Sequence, residues 1–362
     1  MIFSVIIPVC NGETFIEECV RSAAEQAWDF VGRKRNGVSN ENSQQDIFEV
    51  IICENGSSDN TPKLCDELAK RYNCVTAIHR GRIGLFRARQ EGIRIAKGDW
   101  IVSLDGDDEL APGAIKTLYD TIEQYRDNAN IPDLILYDAA VLGQPDKKLR
   151  NYGFTPKMIL GDGVKGPFLE QLCVDDSINA MWIKCVKRSM AAFDDIDLFL
   201  NYGEDLYQTA KYLDEARGIL YLDKVLYYYR KDSASLSSTY SEIYLEDEKN
   251  TYKQLDKYAR KWFGDKFTQI IDERKALTCT IAVSKLIYSD LSLSDKKYKL
   301  EKLLKDEFYR EYSECPLPDW APEEARFVKE LQSAKNCKNA LISHSIKHGM
   351  KKRIKRWLSN GR

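Results

Sequence analysis

Asp105-Gly106-Asp107-Asp108-Glu109 sets four carboxylates around one glycine, directly after the apolar run Trp100-Ile101-Val102-Ser103-Leu104. Like charges this close repel one another, so the cluster needs water, a cation or both. An Asp-x-Asp at a strand end suits a hard divalent ion that keeps several waters and bridges to phosphate oxygens. The competing reading is an acidic surface turn, and the turn alone does not choose. A second acid pair, Glu204-Asp205, follows Asn201-Tyr202-Gly203 and opens a helical pattern. The helix dipole favours acids in a first turn, which explains the pair without chemistry. A carboxylate facing a cleft can also serve as a general base.

The elements around these residues weigh the two readings. Phe3 to Ile7 reads as a buried strand ended by Pro8, followed by the loop Val9-Cys10-Asn11-Gly12-Glu13 and a helix from Thr14 to Ala27. Phe48 to Cys53 reads as a second buried strand, ending in the polar turn Glu54 to Asn60. Thr61 then caps a helix with Pro62 at its first position, where a missing N–H does no harm. Val75 to Ile78 is a short third strand, and residues 85–97 form a helix closed by Gly98 as a C′ glycine. Beyond the acidic turn, Pro112 opens another helix. Strand and helix alternate four times, which indicates a parallel sheet with helices on both faces. Ligands of such open sheets bind beyond the carboxyl ends of the strands, so the loops 9–13, 54–60 and 105–109 converge on one site. That convergence favours chemistry at the Asp105 turn over a surface role.

Further along, Leu134–Tyr137, Trp182–Val186 and Gly218–Tyr229 read as strands, the last ending in Tyr227-Tyr228-Tyr229-Arg230. Proline and glycine break up the stretch 144–180. Residues 29–46 are polar and aperiodic and read as an inserted surface loop. After about residue 240 charged helical segments dominate (241–263, 266–289, 295–312 and 322–334), broken at Cys315-Pro316-Leu317-Pro318.

Composition excludes several classes. The 362 residues favour about two domains, and 43% hydrophobic with 30% charged residues is ordinary for a globular chain. A net charge of −2 argues against a general nucleic-acid binder. No apolar run is long enough to span a bilayer, and the start of the chain lacks the charged region of a signal peptide. Ten cysteines with no C-x-x-C pair read as reduced, packed thiols of a cytosolic protein. Three histidines, two of them in the C-terminal tail, leave little for a histidine-based triad or metal site.

The tail itself is basic. From His344 to Arg362 there are seven Lys or Arg residues and no acid, while Ile346, Met350, Ile354, Trp357 and Leu358 fall on one helical stripe. A basic amphipathic helix bearing Trp reads as an anchor on an anionic membrane surface, each basic residue contributing about 1 kcal/mol there. A solvated terminal helix is the alternative.

Taken together, the motifs resemble the inverting family 2 glycosyltransferases with a GT-A fold. The matching pieces are FSVIIPVCNGETFIEECVRSAAEQ, FEVIICENGSSDNTPKLCDELAKRY, RIGLFRARQEGIRIAKGDWIVSLDGDDEL, WIKCVKRSM, NYGEDLYQTAKYL and VLYYYRKDSASLS, covering roughly 3–238 in the family's order. The resemblance implies that Pro8, Val9, Asn11 and Glu13 form the first nucleotide-binding loop. It places Glu54 and Asn55 where the family usually has two aspartates, one of which contacts the base; Asn55 departs from that pattern by being neutral. Asp59 closes that turn, as a cap or a ligand contact. Arg82, Gly84 and Arg89 fall in the segment near base and diphosphate. Asp105 and Asp107 match the DxD pair around Gly106, the first resembling a ribose contact and the second a metal ligand. Asp205 matches the family's catalytic base, with Glu204 orienting it or the acceptor. Trp182 and Lys184 belong to the acceptor-side segment, and Arg230 resembles a residue on a loop that closes over the diphosphate.

The expectation is therefore an α/β chain of GT-A type, a Rossmann-like, mostly parallel sheet flanked by helices, with a helical C-terminal region. Its divisions are a glycosyltransferase domain at 1–238 (nucleotide-sugar half about 1–110, acceptor half about 111–238), helices at 239–335 and the basic tail at 336–362. The implied activity is inverting transfer of a sugar, with Mn or Mg as cofactor, from a nucleotide-sugar donor of the UDP kind. The acceptor would be a saccharide or lipid-linked saccharide in polysaccharide synthesis, at the cytoplasmic face of the membrane. A non-catalytic relative that binds nucleotide or membrane is the alternative. A sugar-phosphate nucleotidyltransferase fits less well, because the loop Val9 to Glu13 has no lysine or arginine to hold a triphosphate.

Overall fold

The computed structural model describes residues 3–27, 48–125, 131–156, 158–160, 165–193, 200–231 and 240–359, without the side chains of 158–160 and of those beyond 348. The insertion 29–46 lies outside the described residues, as do most of the side chains of the tail's apolar stripe. Backbone contacts divide the chain into two compact units, one of residues 1–172 and 176–233, the other of 173–175 and 234–362.

The first unit is built on one sheet of ten strands. Strands β1 (Phe3–Val9), β2 (Phe48–Asn55), β3 (Val75–Arg80) and β4 (Trp100–Ser103) run parallel in the order β3-β2-β1-β4. Their apolar runs are the reason: a strand buried on both faces carries no polar alternation, and β1 is buried at every position. Helices α1 (Ile16–Ala24), α2 (Thr61–Arg71), α3 (Leu85–Ile95) and, after the two-residue strand β5 (Glu109–Leu110), α4 (Ala114–Gln124) supply the crossovers and cover. Beyond them come β6 (Leu134–Val141), β7 (Gln144–Lys148), β8 (Met158–Leu160), α5 (Gly166–Val174), β9 (Lys184–Lys187), α6 (Arg188–Ala191), α7 (Glu204–Glu215) and β10 (Gly218–Tyr229). β9 lies antiparallel between β4 and β6, β10 pairs parallel with β6, and β5 pairs antiparallel with the end of β10. That last pairing carries the acidic turn onto Tyr227 and Tyr228. This is a GT-A-like sheet with helices on both sides and a largely helical C-terminal region.

Several local expectations change. Pro8 sits inside β1, not at its end. The last β1–β4 pair is Ile6 with Ser103, so Pro8 lies past the end of β4, where its missing N–H takes nothing from the sheet. Thr61 is the first residue of α2, not its cap; Asp59 Oδ1 accepts the Thr61 N–H at 3.0 Å and its hydroxyl at 2.6 Å. Helix α3 ends at Ile95, and Gly98 is not a left-handed cap. A Cβ there would lie 2.4 Å from Ser4 Oγ, so close approach to β1 is what requires glycine. Pro112 precedes α4 in a turn whose Gly113 takes φ 73°. Trp182 belongs to a short 3-10 turn, Met181–Ile183, ahead of β9. The broken stretch 144–180 holds β7, β8 and α5.

The second unit comprises α8 (Tyr244–Phe263), α9 (Thr268–Tyr288), α10 (Leu293–Leu304), α11 (Glu307–Tyr312), α12 (Glu323–Gln332) and α13 (Cys337–Ser359). Cys279, Val283, Leu286, Leu300, Val328 and Leu341 form its buried core. The start of the basic tail is packed into this unit: Ser345 is buried, donates to the Ile287 carbonyl at 2.7 Å and accepts from Lys296 at 3.0 Å.

Candidate active site

Three loops meet at the carboxyl ends of β1, β2 and β4. Val9 joins two of them, since a Cβ on Gly12 or Gly106 would come within 2.6 or 2.9 Å of its Cγ2. Side chains of the first two loops hold each other's backbone. Asn11, at φ 53°, accepts the Ser58 N–H at 2.8 Å and donates its own N–H to Ser57 Oγ at 2.9 Å. Glu13 accepts the Asn60 N–H at 2.9 Å, and Asp59 accepts the Glu13 N–H at 3.1 Å. Buried Pro8 and Val9 support this layer from below. Asp59 is thus a structural tie, and these hydrogen bonds hold its carboxyl below the ordinary range against the burial that would raise it.

Glu54 and Asn55, at the end of β2, are 4% and 7% exposed. Glu54 Oε1 accepts the Ser57 N–H at 2.6 Å, and Oε2 faces His79 Nδ1 at 3.5 Å. Asn55 Oδ1 accepts the Ile83 N–H at 2.8 Å. Arg82 is exposed, and Gly84, at φ 86°, starts α3.

Arg89, one turn into α3 and 1% exposed, is the centre of the charge pattern. Its Nη2 lies 3.5 Å from Asp105 Oδ1, and its Nη1 lies 3.4 Å from Asp205 Oδ1 and 4.0 Å from Glu204 Oε1. The two acid groups singled out in the sequence, about a hundred residues apart, are therefore brought to one guanidinium. Burial works against the Arg89 charge, but Asp205, Asp105 and Glu204 outweigh it and hold its pKa above the ordinary value. Burial pushes Asp105 up to about 7, with Asp205 and Asp107 adding to the rise and Arg89 opposing it. Burial and the charge of Asp205 push Glu204 well up. Glu204 is thus the member of its pair that the fold favours neutral, at the N-terminus of α7 behind the left-handed Gly203.

The acidic turn is fastened from the far end of the sheet. Tyr227 donates its hydroxyl proton to Asp108 Oδ2 at 2.6 Å and accepts the Asp105 N–H at 3.3 Å. The Arg230 N–H reaches Asp108 Oδ1 at 2.7 Å, its Nε the Asp107 carbonyl at 2.8 Å and its Nη2 Glu109 Oε1 at 3.0 Å. The guanidinium lies 4.9 Å from the Phe15 ring centre. Arg230 in this structure clamps the turn that carries the Asp-x-Asp pair. Asp108 is 1% exposed; burial and then the Asp105 charge push it up to about 8, against those two donors.

Trp182 and Lys184 have clear packing partners. Trp182 stacks on Tyr227 (centroids 4.7 Å apart, planes at 17°) and on Tyr229 at 5.9 Å. Lys184 is 1% exposed and donates to the carbonyls of Ile178, Asn179 and Ala180 at 2.7, 3.0 and 2.6 Å. Burial pushes its ammonium down to about 7, opposed by Asp205. Lys184 therefore fastens the 178–180 turn beneath the site. The sequence reading missed Asp108, Tyr227, Phe15 and His79. Asp108 had a signal, being the third acid of the turn; the others act through contacts that no local pattern announces.

Could the turn hold a divalent cation? Among the described residues no group of three or more His, Cys, Asp or Glu is arranged to hold a metal by itself. An ion that keeps waters and phosphate oxygens needs only one or two protein carboxylates. Asp105 Oδ1 is buried without a hydrogen-bond partner among the described residues, and Asp105 and Asp108 are both pushed up by burial and like charge. The turn is short of positive charge and fits such an ion.

The comparisons with known proteins agree with this geometry. Residues 4–171 match the family model described as glycosyl transferase family 2. That match covers just under half of the chain. Among curated relatives, a putative glycosyltransferase, EpsH of Bacillus subtilis, is 26% identical over 248 residues, which is 67% of this chain and 64% of that protein. The glycosyltransferase GlyG of Streptococcus pneumoniae is 27% identical over 138 residues, 38% of this chain and 40% of that one. The chain thus matches less than two thirds of the length of these relatives. Among solved structures, S. aureus TarS 1-349 in complex with UDP-GlcNAc superposes with a TM-score of 0.57 at 18% identity, covering 98% of this chain and 92% of that one. At that identity the likeness is one of fold, and the fold is the one the family 2 match implies.

Proposed function

We propose that this chain is an inverting family 2 glycosyltransferase that moves a sugar from a nucleotide diphosphate donor, of the UDP kind, to a saccharide hydroxyl. The observation that carries the reading is the meeting of the Asp105–Asp107 turn and the Glu204–Asp205 pair on the buried Arg89. Breaking a sugar–diphosphate bond builds negative charge on the leaving group and positive charge on the sugar. The donor lies across the loops 9–13, 54–60 and 105–109, with Asp105 toward the ribose. Asp107, with Asp105, would hold a divalent ion, Mn or Mg, which supplies charge stabilisation of the leaving diphosphate. Asp205 takes the proton of the attacking hydroxyl from the opposite side, a contribution of roughly 10²–10⁴ in rate for a general base. Glu204 and the Arg89 guanidinium keep Asp205 oriented. Trp182, on its Tyr227–Tyr229 stack, forms a wall of the acceptor side.

The acceptor in this reading is a saccharide or lipid-linked saccharide of a surface polysaccharide. The relatives EpsH and GlyG bear glycosyltransferase names, and helix α13 carries the basic residues of the tail as far as Ser359. No helix among the described residues is long and apolar enough to cross a membrane, so membrane contact in this reading is peripheral, at the cytoplasmic face. Incubating the protein with UDP-, GDP- and CMP-sugars, with and without Mn²⁺, and following nucleotide release tests the activity. Metal-dependent release from a UDP-sugar is the expected result; no release from any donor overturns it. Sedimentation with anionic vesicles before and after removal of 349–362 tests the anchor, and unchanged sedimentation overturns that part.

A further inference from the structure

One stripe of α1 faces the acidic turn. Phe15, Cys19, Ser22 and Gln26 follow at steps of four, three and four residues, which stacks them on a single helix face that continues into the 3-10 turn Glu25–Ala27. Cys19 is fully buried and Gln26 is 6% exposed. Buried polar groups need partners, and these find theirs on the backbone of residues 105–115. The Cys19 thiol donates to the Asp105 carbonyl at 3.3 Å. The Ser22 hydroxyl accepts the Leu110 N–H at 3.0 Å while donating to the Cys19 carbonyl at 2.7 Å. Gln26 Nε2 donates to the Ala111 carbonyl at 3.1 Å and to the Ser22 carbonyl at 2.9 Å, and its Oε1 accepts the Ile115 N–H at 3.0 Å. That last N–H lies in the first turn of α4, where the preceding Gly113 has no side chain to accept it.

At its other end α1 grows out of loop 9–13, since the Phe15 and Ile16 N–H groups both donate to the Gly12 carbonyl at 2.9 Å. Phe15 also meets the Arg230 guanidinium, whose Nε holds the Asp107 carbonyl. One helix therefore joins the first loop of the site to the turn that carries the Asp-x-Asp pair. Resting on the reading of that turn as a cation site, we infer that Ser22 and Gln26 are positioning residues for the cation. They touch neither the ion nor the donor. They fix where the turn stands relative to loop 9–13, and so how Asp105 and Asp107 are presented to an ion. Contacts one layer behind the ligands set metal affinity in this way.

Mn²⁺ titration of the full chain with saturating UDP, read by the electron-spin resonance of the free ion, tests the assignment. Gln26→Leu keeps an aliphatic side chain in place of the amide and removes its hydrogen bonds to Ala111 and Ile115. It is expected to weaken the Mn²⁺ Kd by about tenfold. Ser22→Ala is expected to act in the same direction and by less. Val20, buried on α1 but off this stripe, supplies the control. Val20→Ala opens a cavity under the same helix, and is expected to lower the urea midpoint while leaving the Mn²⁺ Kd unchanged. Should Gln26→Leu fail to fold, judged by circular dichroism, Ser22→Ala reads the same constant. If α1 only covers the sheet, the stripe variants lose stability and keep the wild-type Mn²⁺ Kd. That result overturns the inference and leaves the proposed function standing, as does a loss of Mn²⁺ affinity in Val20→Ala equal to that in Gln26→Leu. A wild-type protein that takes up no Mn²⁺ with UDP overturns the cation reading of the turn and the inference with it.

Discussion

The acidic turn after β4 and the acid pair opening α7 use the same chemical group in different electrostatic settings. At α7 the chain supplies the compensating charge itself: the helix N-terminus and Arg89 both face Glu204 and Asp205. At the turn the backbone is fastened with great care by Tyr227 and Arg230, yet Asp105 and Asp108 remain pushed up to about 7 and about 8. Burial pushes Glu204 well up too, and Arg89 reaches both clusters, 3.4 Å from Asp205 and 3.5 Å from Asp105, but only the α7 pair also has a helix N-terminus beside it. In the proposed function the difference fits their roles: a general base is held in place ready to take a proton, whereas a cation site is finished by what it binds.

Exchanging the charges tests that division. Asp205→Asn should lower turnover by roughly 10²–10⁴-fold while leaving Mn²⁺ and nucleotide affinity intact, as steady-state rates and calorimetry would record. Asp107→Asn should do the reverse, abolishing Mn²⁺ dependence and lowering turnover by about 10²–10³-fold. If both variants lose metal affinity alike, the two clusters are one site and the comparison fails. Arg89→Gln strands the acids around a buried position and should destabilise the first unit by about 3–5 kcal/mol in urea unfolding. Arg230→Ala loosens the frame without touching the α7 pair. Mn²⁺ titration, read by the electron-spin resonance of free ion, should show about a tenfold weaker Kd.

The smallest effect is in pH. Asp105 and Asp108 bind protons more tightly in the folded chain than the ordinary carboxylate value of the unfolded one. From the ordinary carboxylate range up to about 8 the folded state therefore holds protons that the unfolded state has released, so metal-free stability falls as pH rises through that window. Thermal melts should show a decline of a few °C that Mn²⁺ offsets. Asp108→Asn should flatten its upper part.

Much of this was legible in the chain, for identifiable reasons. Parallel strands buried on both faces write continuous apolar runs, and polar loops at their ends write acids, asparagine and glycine, so β1 to β4 and the three converging loops could be read directly. The short β7 and β8 and the turn at Trp182 could not, because they are held by neighbours more than by their own pattern. Arg230 illustrates the limit: its position at the end of β10 was visible, but its hold on Asp107, Asp108 and Glu109 exists only because β5 pairs with β10. Lys184 read as an acceptor-side cation and is instead closed off by three carbonyls.

By itself, then, the sequence determined the layered α/β class, the acidic turn and the loops around it, because burial and turn chemistry are local properties of residue order. Only the tertiary structure decided which charges meet. Arg89 reaches Asp205 across 116 residues of chain, and no periodicity encodes a contact between side chains so far apart. Whether a buried carboxylate is paired or left wanting a cation depends on distances that folding alone sets.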